Sequence, residues 1–115
     1  MSVKIYHNPR CSKSRQTLQL LQEQGINPEV IEYLKTPPTI EELKDILQKL
    51  AMHPRDLMRK KEAEYKATGM DNTDLDSDAL IQGIISSPKL MERPVVLAND
   101  KAAIGRPPED VLNIL

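Results

Sequence analysis

Cysteine is almost missing from this chain. One residue, Cys11, is the whole complement of the 115 residues, so no internal disulfide can form. A Cys-rich zinc site is excluded as well, because the two histidines, His7 and His53, stand far apart and lack ligand spacing. A lone thiol suits a reducing compartment, which points to the cytoplasm. No run of about 18 apolar residues is present, so no membrane partner is expected. No apolar segment of signal-peptide type opens the sequence, so secretion is not expected either. An excess of one charge is also lacking, since 16 Lys and Arg face 17 Asp and Glu for a net charge of −1. Binding to nucleic acid through bulk positive charge is therefore not expected, while a small basic pocket stays compatible with this balance. Repeats, low-complexity tracts and linkers are absent. The length fits a single domain over residues 1–115, able to bury roughly two thirds of its unfolded surface without a metal or disulfide staple.

Hydrophobic periodicity supplies the architecture. Val3-Lys4-Ile5-Tyr6 reads as a strand with Val3 and Ile5 on one face. His7-Asn8-Pro9-Arg10 breaks it, and a helix is expected from Cys11 to about Gln24, with Thr17, Leu18, Leu21 and marginally Leu20 inward and Gly25 as its stop. Glu29 to Leu34 reads as a second strand, so the segment is a βαβ unit with a parallel pair. After the Thr36-Pro37-Pro38 turn, Thr39-Ile40-Glu41-Glu42 matches a capping box. The helix behind it carries an inner stripe of Ile40, Leu43, Ile46, Leu47 and Leu50. A short helix is expected over Arg55–Met58, then a polar stretch ending at Gly69. Another helix starts near Asp76 or Ser77, buries Leu80, Ile81, Ile84 and Ile85, and closes at Pro88. Pro94 to Leu97 is an apolar strand, Asn99-Asp100-Lys101 a hairpin turn, and Ala102-Ala103-Ile104 the returning strand. A last helix opens at Pro107-Pro108-Glu109-Asp110 and docks through Val111, Leu112, Ile114 and Leu115. The order is an α/β, thioredoxin-like plan with a helical insertion between its βαβ and ββα halves.

A lone cysteine is ordinarily a small buried hydrophobe. The surroundings of Cys11 argue for more. It follows a strand and opens a helix, so unpaired backbone N–H groups and the positive end of the helix dipole face its sulfur. Arg10, Lys13 and Arg15 add charge, and His7 lies just before the loop. A free thiol with a pKa near 8.5 is only about 3% thiolate at pH 7. Helix N-termini and cations lower that value, so Cys11 is expected to be partly exposed and largely thiolate. The motif is Cys11-Ser12-Lys13-Ser14, without a second thiol. Ser14 shares a helix face with Cys11 and can donate a hydrogen bond to its sulfur, but cannot resolve a disulfide. A C-x5-R phosphatase loop is excluded, because Thr17 stands where the arginine would be. Arg59, Arg93 and Arg106 each stand beside a structure breaker, and arginine forks bind tetrahedral oxyanions bidentately.

His7-Asn8-Pro9-Arg10-Cys11-Ser12-Lys13-Ser14-Arg15 with Thr17-Leu18 resembles the active-site segment of the ArsC-type, glutaredoxin-coupled arsenate reductases. Tyr33-Leu34 with Pro37-Pro38, Leu57-Met58-Arg59-Lys60, Glu92-Arg93-Pro94-Val95-Val96 and Gly105-Arg106-Pro107 resemble that family's later signatures in order. The resemblance implies a thioredoxin-like fold with a helical insertion, and with that plan a cis peptide at Arg93–Pro94. It implies Cys11 as the nucleophile toward arsenate and Arg59, Arg93 and Arg106 as the arginines that hold the oxyanion and its adduct. His7 would help lower the thiol pKa, and Ser14 and Arg15 would support the thiolate. No bound cofactor or metal is implied; glutathione is the co-substrate and glutaredoxin the protein partner. Arg10 and Lys13 make the loop more basic than in the plasmid-encoded type, and the chain looks like the short, housekeeping-type members. Two other readings share the fold: an Spx-type regulator that binds RNA polymerase, and a glutathione-linked reductase of another substrate. Spx-type regulators commonly carry a C-x-x-C switch, which Ser14 removes here.

Overall fold

The structure, a computed structural model, describes residues 2–115. The chain divides into two compact units, one running to Thr36 and resuming from Arg93 to Leu115, the other spanning Pro37–Glu92.

The first unit contains strand β1 (Lys4–His7), helix α1 (Ser12–Glu23) and strand β2 (Glu29–Glu32). Strands β3 (Val95–Ala98) and β4 (Lys101–Ile104) and a 3₁₀ helix over Pro108–Ile114 complete it. The sheet order is β2-β1-β3-β4. β1 and β2 are parallel with Ile5 opposite Val30, as a βαβ crossover requires, and β3 runs antiparallel to both β1 and β4. Val3, just before β1, and Ile5 within it enter a core shared with Leu21 of α1, Val96, Ala98, Val111 and Ile114. Gly25 ends α1 with a positive φ of 76°.

Three boundaries differ from expectation for local reasons. β2 stops at Glu32, whose carbonyl accepts from the N–H groups of Lys35 and Thr36 at 2.9 Å, so residues 33–35 turn instead of continuing the strand. Lys101 belongs to β4 and pairs with Ala98, leaving a two-residue turn in which Asn99 and Asp100 have φ of 54° and 61°. That left-handed pair matches the twist of a tight hairpin. The last helix is 3₁₀, and its three-residue turn aligns Val111 with Ile114 while leaving Leu112 38% exposed. The expected cis peptide at Arg93–Pro94 is present, and Arg106–Pro107 is cis too.

The second unit holds helix α2 (Ile40–Leu50), a 3₁₀ turn over Pro54–Leu57, a short helix α3 (Ala63–Ala67), helix α4 (Ser77–Ser86) and a 3₁₀ turn over Pro88–Leu90. The Thr39 capping box is complete, with Glu42 N–H on Thr39 Oγ1 at 3.1 Å and Thr39 N–H on Glu42 Oε1 at 2.9 Å. Leu43, Ile46 and Leu47 bury the expected stripe, but Ile40 is 46% exposed because packing against α2 stops short of its first position. Asp76 caps α4 through Ala79 N–H at 2.8 Å, and Leu80, Ile81 and Ile84 form its buried side. Pro88 opens the last 3₁₀ turn rather than simply ending α4. Arg55 ties the irregular segment down, donating to Tyr65 Oη at 2.9 Å and to the carbonyls of Met70 and Asn72. The topology is the thioredoxin-like α/β plan, with the helices of residues 37–92 inserted in sequence between the two halves of the sheet.

Candidate active site

Cys11 occupies the N-cap of α1. Its backbone is extended, with φ −94° and ψ 124°, its N–H donates to Asn8 O at 3.0 Å, and its carbonyl accepts from Arg15 N–H at 3.0 Å. No side chain caps this helix end and no acid stands in its first turn. The free N–H groups of the turn therefore point at sulfur: those of Lys13 and Ser14 both act on the thiol. Arg106 Nη2 donates to Cys11 Sγ at 3.6 Å, and Arg106 Nε donates to the Arg93 carbonyl at 2.7 Å. Nε and Nη1 of Arg93 are buried and, among the described residues, meet no hydrogen-bond acceptor.

Burial pushes the Cys11 thiol up. The Ser14 N–H, the Arg93 guanidinium, the Lys13 N–H and Arg106 act against it, and the net result is a pKa below the ordinary thiol value. The expected depression is thus present. The expected exposure is not, since Cys11 is only 8% exposed. The backbone donors of the first turn of α1 and the two arginine charges outweigh that burial.

His7 and Ser14 act on the site in a different way from that expected. Ser14 is fully buried, its Oγ lies 2.5 Å from His7 Nδ1, and it accepts from Asn8 N–H at 3.0 Å. Burial lowers the His7 pKa; Glu32, its register partner on β2, raises it and Arg15 lowers it further, leaving the ring neutral near pH 7. A neutral ring that accepts the Ser14 proton at Nδ1 keeps its own on Nε2. The other tautomer would leave a fully buried hydroxyl proton without an acceptor among the described residues. The Ser14 hydroxyl is therefore committed to His7, and its backbone N–H, not its side chain, serves the thiol. His7 supplies no positive charge; it fixes Ser14. Arg15 Nη1 donates to Pro9 O at 2.8 Å and ties the loop to the helix.

Cys11, Arg93, Arg106, His7, Ser14 and Arg15 all lie in the first unit, where Arg106 reaches the Cys11 sulfur and the Arg93 charge acts on the thiol. Arg59 lies in the second unit, where it pairs with Glu62 and its N–H donates to Leu90 O at 2.6 Å. Asn8 was not among the expected residues. Its Oδ1 accepts from Arg10 N–H at 3.0 Å in an Asx turn, a signal that the Asn8-Pro9 pair carries. Gly105 stands in the Gly105-Arg106-Pro107 motif but was given no role of its own there, since its contacts are with residues distant in sequence. No group of three or more His, Cys, Asp or Glu able to hold a metal exists among the described residues. No helix among them is long and apolar enough to cross a membrane.

A thioredoxin-like sheet that presents one activated thiol at a helix N-terminus, with arginines at the sulfur, defines a class of single-thiol proteins suited to anions. Within that class the comparisons are specific. Residues 6–114 match the model of the ArsC family. The chain is 55% identical over 114 residues to an arsenate reductase of Neisseria meningitidis serogroup B, covering 98% of this chain and 97% of that one. It is 57% identical over 114 residues to the uncharacterized protein YfgD of Escherichia coli K12, covering 98% and 96%. The solved structure of an arsenate reductase from Vibrio cholerae superposes with a TM-score of 0.97 at 53% identity, covering 100% of this chain and 98% of that one. The chain belongs to the ArsC family.

Proposed function

We propose that this protein is a cytoplasmic arsenate reductase that works through a Cys11 thiol–arsenate adduct and draws its electrons from glutathione and glutaredoxin. The observation that carries the reading is Arg93: a guanidinium whose buried Nε and Nη1 meet no acceptor among the described residues, acting on the same sulfur that Arg106 touches at 3.6 Å. Buried donors of this kind fit an oxyanion. The similarity to relatives named arsenate reductase supports arsenate as that oxyanion. Arg59 is assigned the same oxyanion-holding role on the Leu57-Met58-Arg59-Lys60 motif, and residues 1–115 are taken to act as one domain.

In this mechanism the Cys11 thiolate attacks arsenic(V). A sulfur–arsenic bond forms, and an arsenic hydroxyl leaves as water with a proton from solvent. Glutathione displaces a second hydroxyl, again as water, and places its sulfur on the same arsenic. A glutaredoxin thiolate then attacks the glutathione sulfur. The new disulfide takes the sulfur, the arsenic–glutathione bond breaks, and its electron pair stays on arsenic, now arsenic(III). Hydrolysis of the Cys11–arsenic bond releases arsenite and returns the thiolate. The external thiols are required because Cys11 has no second cysteine to resolve the adduct. The carboxylates of glutathione suit a loop that carries Arg10, Lys13 and Arg15.

The test is arsenate turnover by the purified protein in two reducing systems. Turnover with glutathione plus glutaredoxin, and little with thioredoxin and its reductase, is expected. Robust turnover in the thioredoxin system without glutathione overturns the electron source. No turnover in either system moves the assignment to the regulator or to another substrate.

A further inference from the structure

Gly105 is buried, and its φ is not in the left-handed range, so backbone conformation does not call for glycine there. Space does. A Cβ at this position would lie 2.4 Å from Thr17 Oγ1, 3.0 Å from Thr17 Cγ2 and 2.9 Å from Pro94 Cγ. These neighbours cannot yield easily. Thr17 is fully buried with its hydroxyl held by the Lys13 carbonyl at 2.8 Å, and Pro94 is a buried ring. Gly83 offers the contrast, because the atoms nearest a Cβ there belong to the flexible Met70 side chain.

The contact joins the parts that serve the sulfur. Gly105 N–H donates to Pro94 O at 2.9 Å, next to Arg93. Arg106 follows Gly105 directly and reaches both the Arg93 carbonyl and Cys11 Sγ. On the other side, Thr17 hangs its hydroxyl on Lys13, whose N–H faces the thiol. Resting on the reading of Cys11 as the nucleophile, we infer that Gly105 and Thr17 form a positioning contact that sets where Arg106 stands over the Cys11 sulfur. The closeness of α1 to the end of β4, which only a missing side chain permits, fixes the reach of Arg106. Neither residue touches the reacting atoms; both act through Arg106 and the first turn of α1.

The experiment is the pH dependence of Cys11 alkylation by iodoacetamide, which needs no arsenate and so separates this inference from the proposed substrate. In Gly105→Ala the added methyl group meets Thr17, Arg106 is displaced, and the apparent thiol pKa rises by roughly one unit, the effect of withdrawing one nearby cation. In Gly105→Ala combined with Thr17→Ala two of the three close atoms are gone, and the pKa returns toward that of the parent. A folded Gly105→Ala protein with the parent pKa overturns the inference. If that variant does not fold, the double variant decides: folded with the parent pKa it supports the contact, and folded with a raised pKa, or itself unfolded, it overturns it.

Discussion

The N-termini of α1 and α2 receive opposite treatment. Thr39 and Glu42 satisfy the start of α2 reciprocally, Glu41 and Glu42 stand in its first turn, and Lys49 in its last. α1 has no side-chain cap, no acid in its first turn and no base in its last. What α2 has is the ordinary set of stabilising devices, each worth on the order of 1 kcal/mol or less. What α1 lacks is what would compete for its free N–H groups. A capping hydroxyl or carboxylate at position 11 would take the donors that now face the sulfur of Cys11. One helix end is built for stability; the other is kept open for a negative charge.

Substitutions at the two ends should therefore separate activity from stability. The largest effect is expected for Cys11→Ser, which removes the nucleophile and puts a capping hydroxyl at the start of α1; arsenate reduction should fall to background while the thermal transition holds or rises. Arg93→Lys comes next. It keeps the charge but loses the fork that presents several donors at once, and arsenate turnover should drop on the order of 10²-fold, the scale of losing one oxyanion donor. Circular dichroism should report an intact fold.

On the α2 side, Thr39→Ala should cost about 1 kcal/mol, read as a fall in Tm of roughly 4 °C, and leave the Cys11 pKa where it was. A Thr39 variant that moved the thiol pKa would break the separation. The smallest effect concerns His7. Its folded pKa is lowered, so below the ordinary histidine value of about 6.5 the unfolded chain binds a proton that folded His7 resists. Its contribution to stability is present above that value and is lost as pH falls through the lowered one. His7→Gln should flatten the fall of unfolding free energy with pH in that window, measured by urea titration at several pH values.

Much of this contrast was legible before any coordinates. The capping box at Thr39, the Asp76 cap and the βαβ unit are short-range or periodic signals, and a cysteine directly after a strand and a loop points to an open helix end. What escaped is long-range. That Ser14 would be committed to His7 depends on β1 placing a ring 2.5 Å from the first turn of α1. That the Cys11 thiol would meet charges from residues 93 and 106 depends on contacts far along the chain. The Gly105-Arg106-Pro107 motif marks Gly105 without saying why glycine is needed, and its approach to Thr17 and Pro94 gives the reason. Ile40 and Leu112 misled in the other direction, because periodicity continues to the end of a helix whether or not a packing partner does.

The claim beneath all of this is that the open end of α1 holds Cys11 as a thiolate. The most direct test is the thiolate absorbance near 240 nm of the parent protein, titrated against pH with Cys11→Ser as the blank. An apparent pKa well below the free-thiol value of about 8.5 is the predicted result. A value at or above 8.5 would mean that burial outweighs the N–H groups and arginines, and would contradict the account.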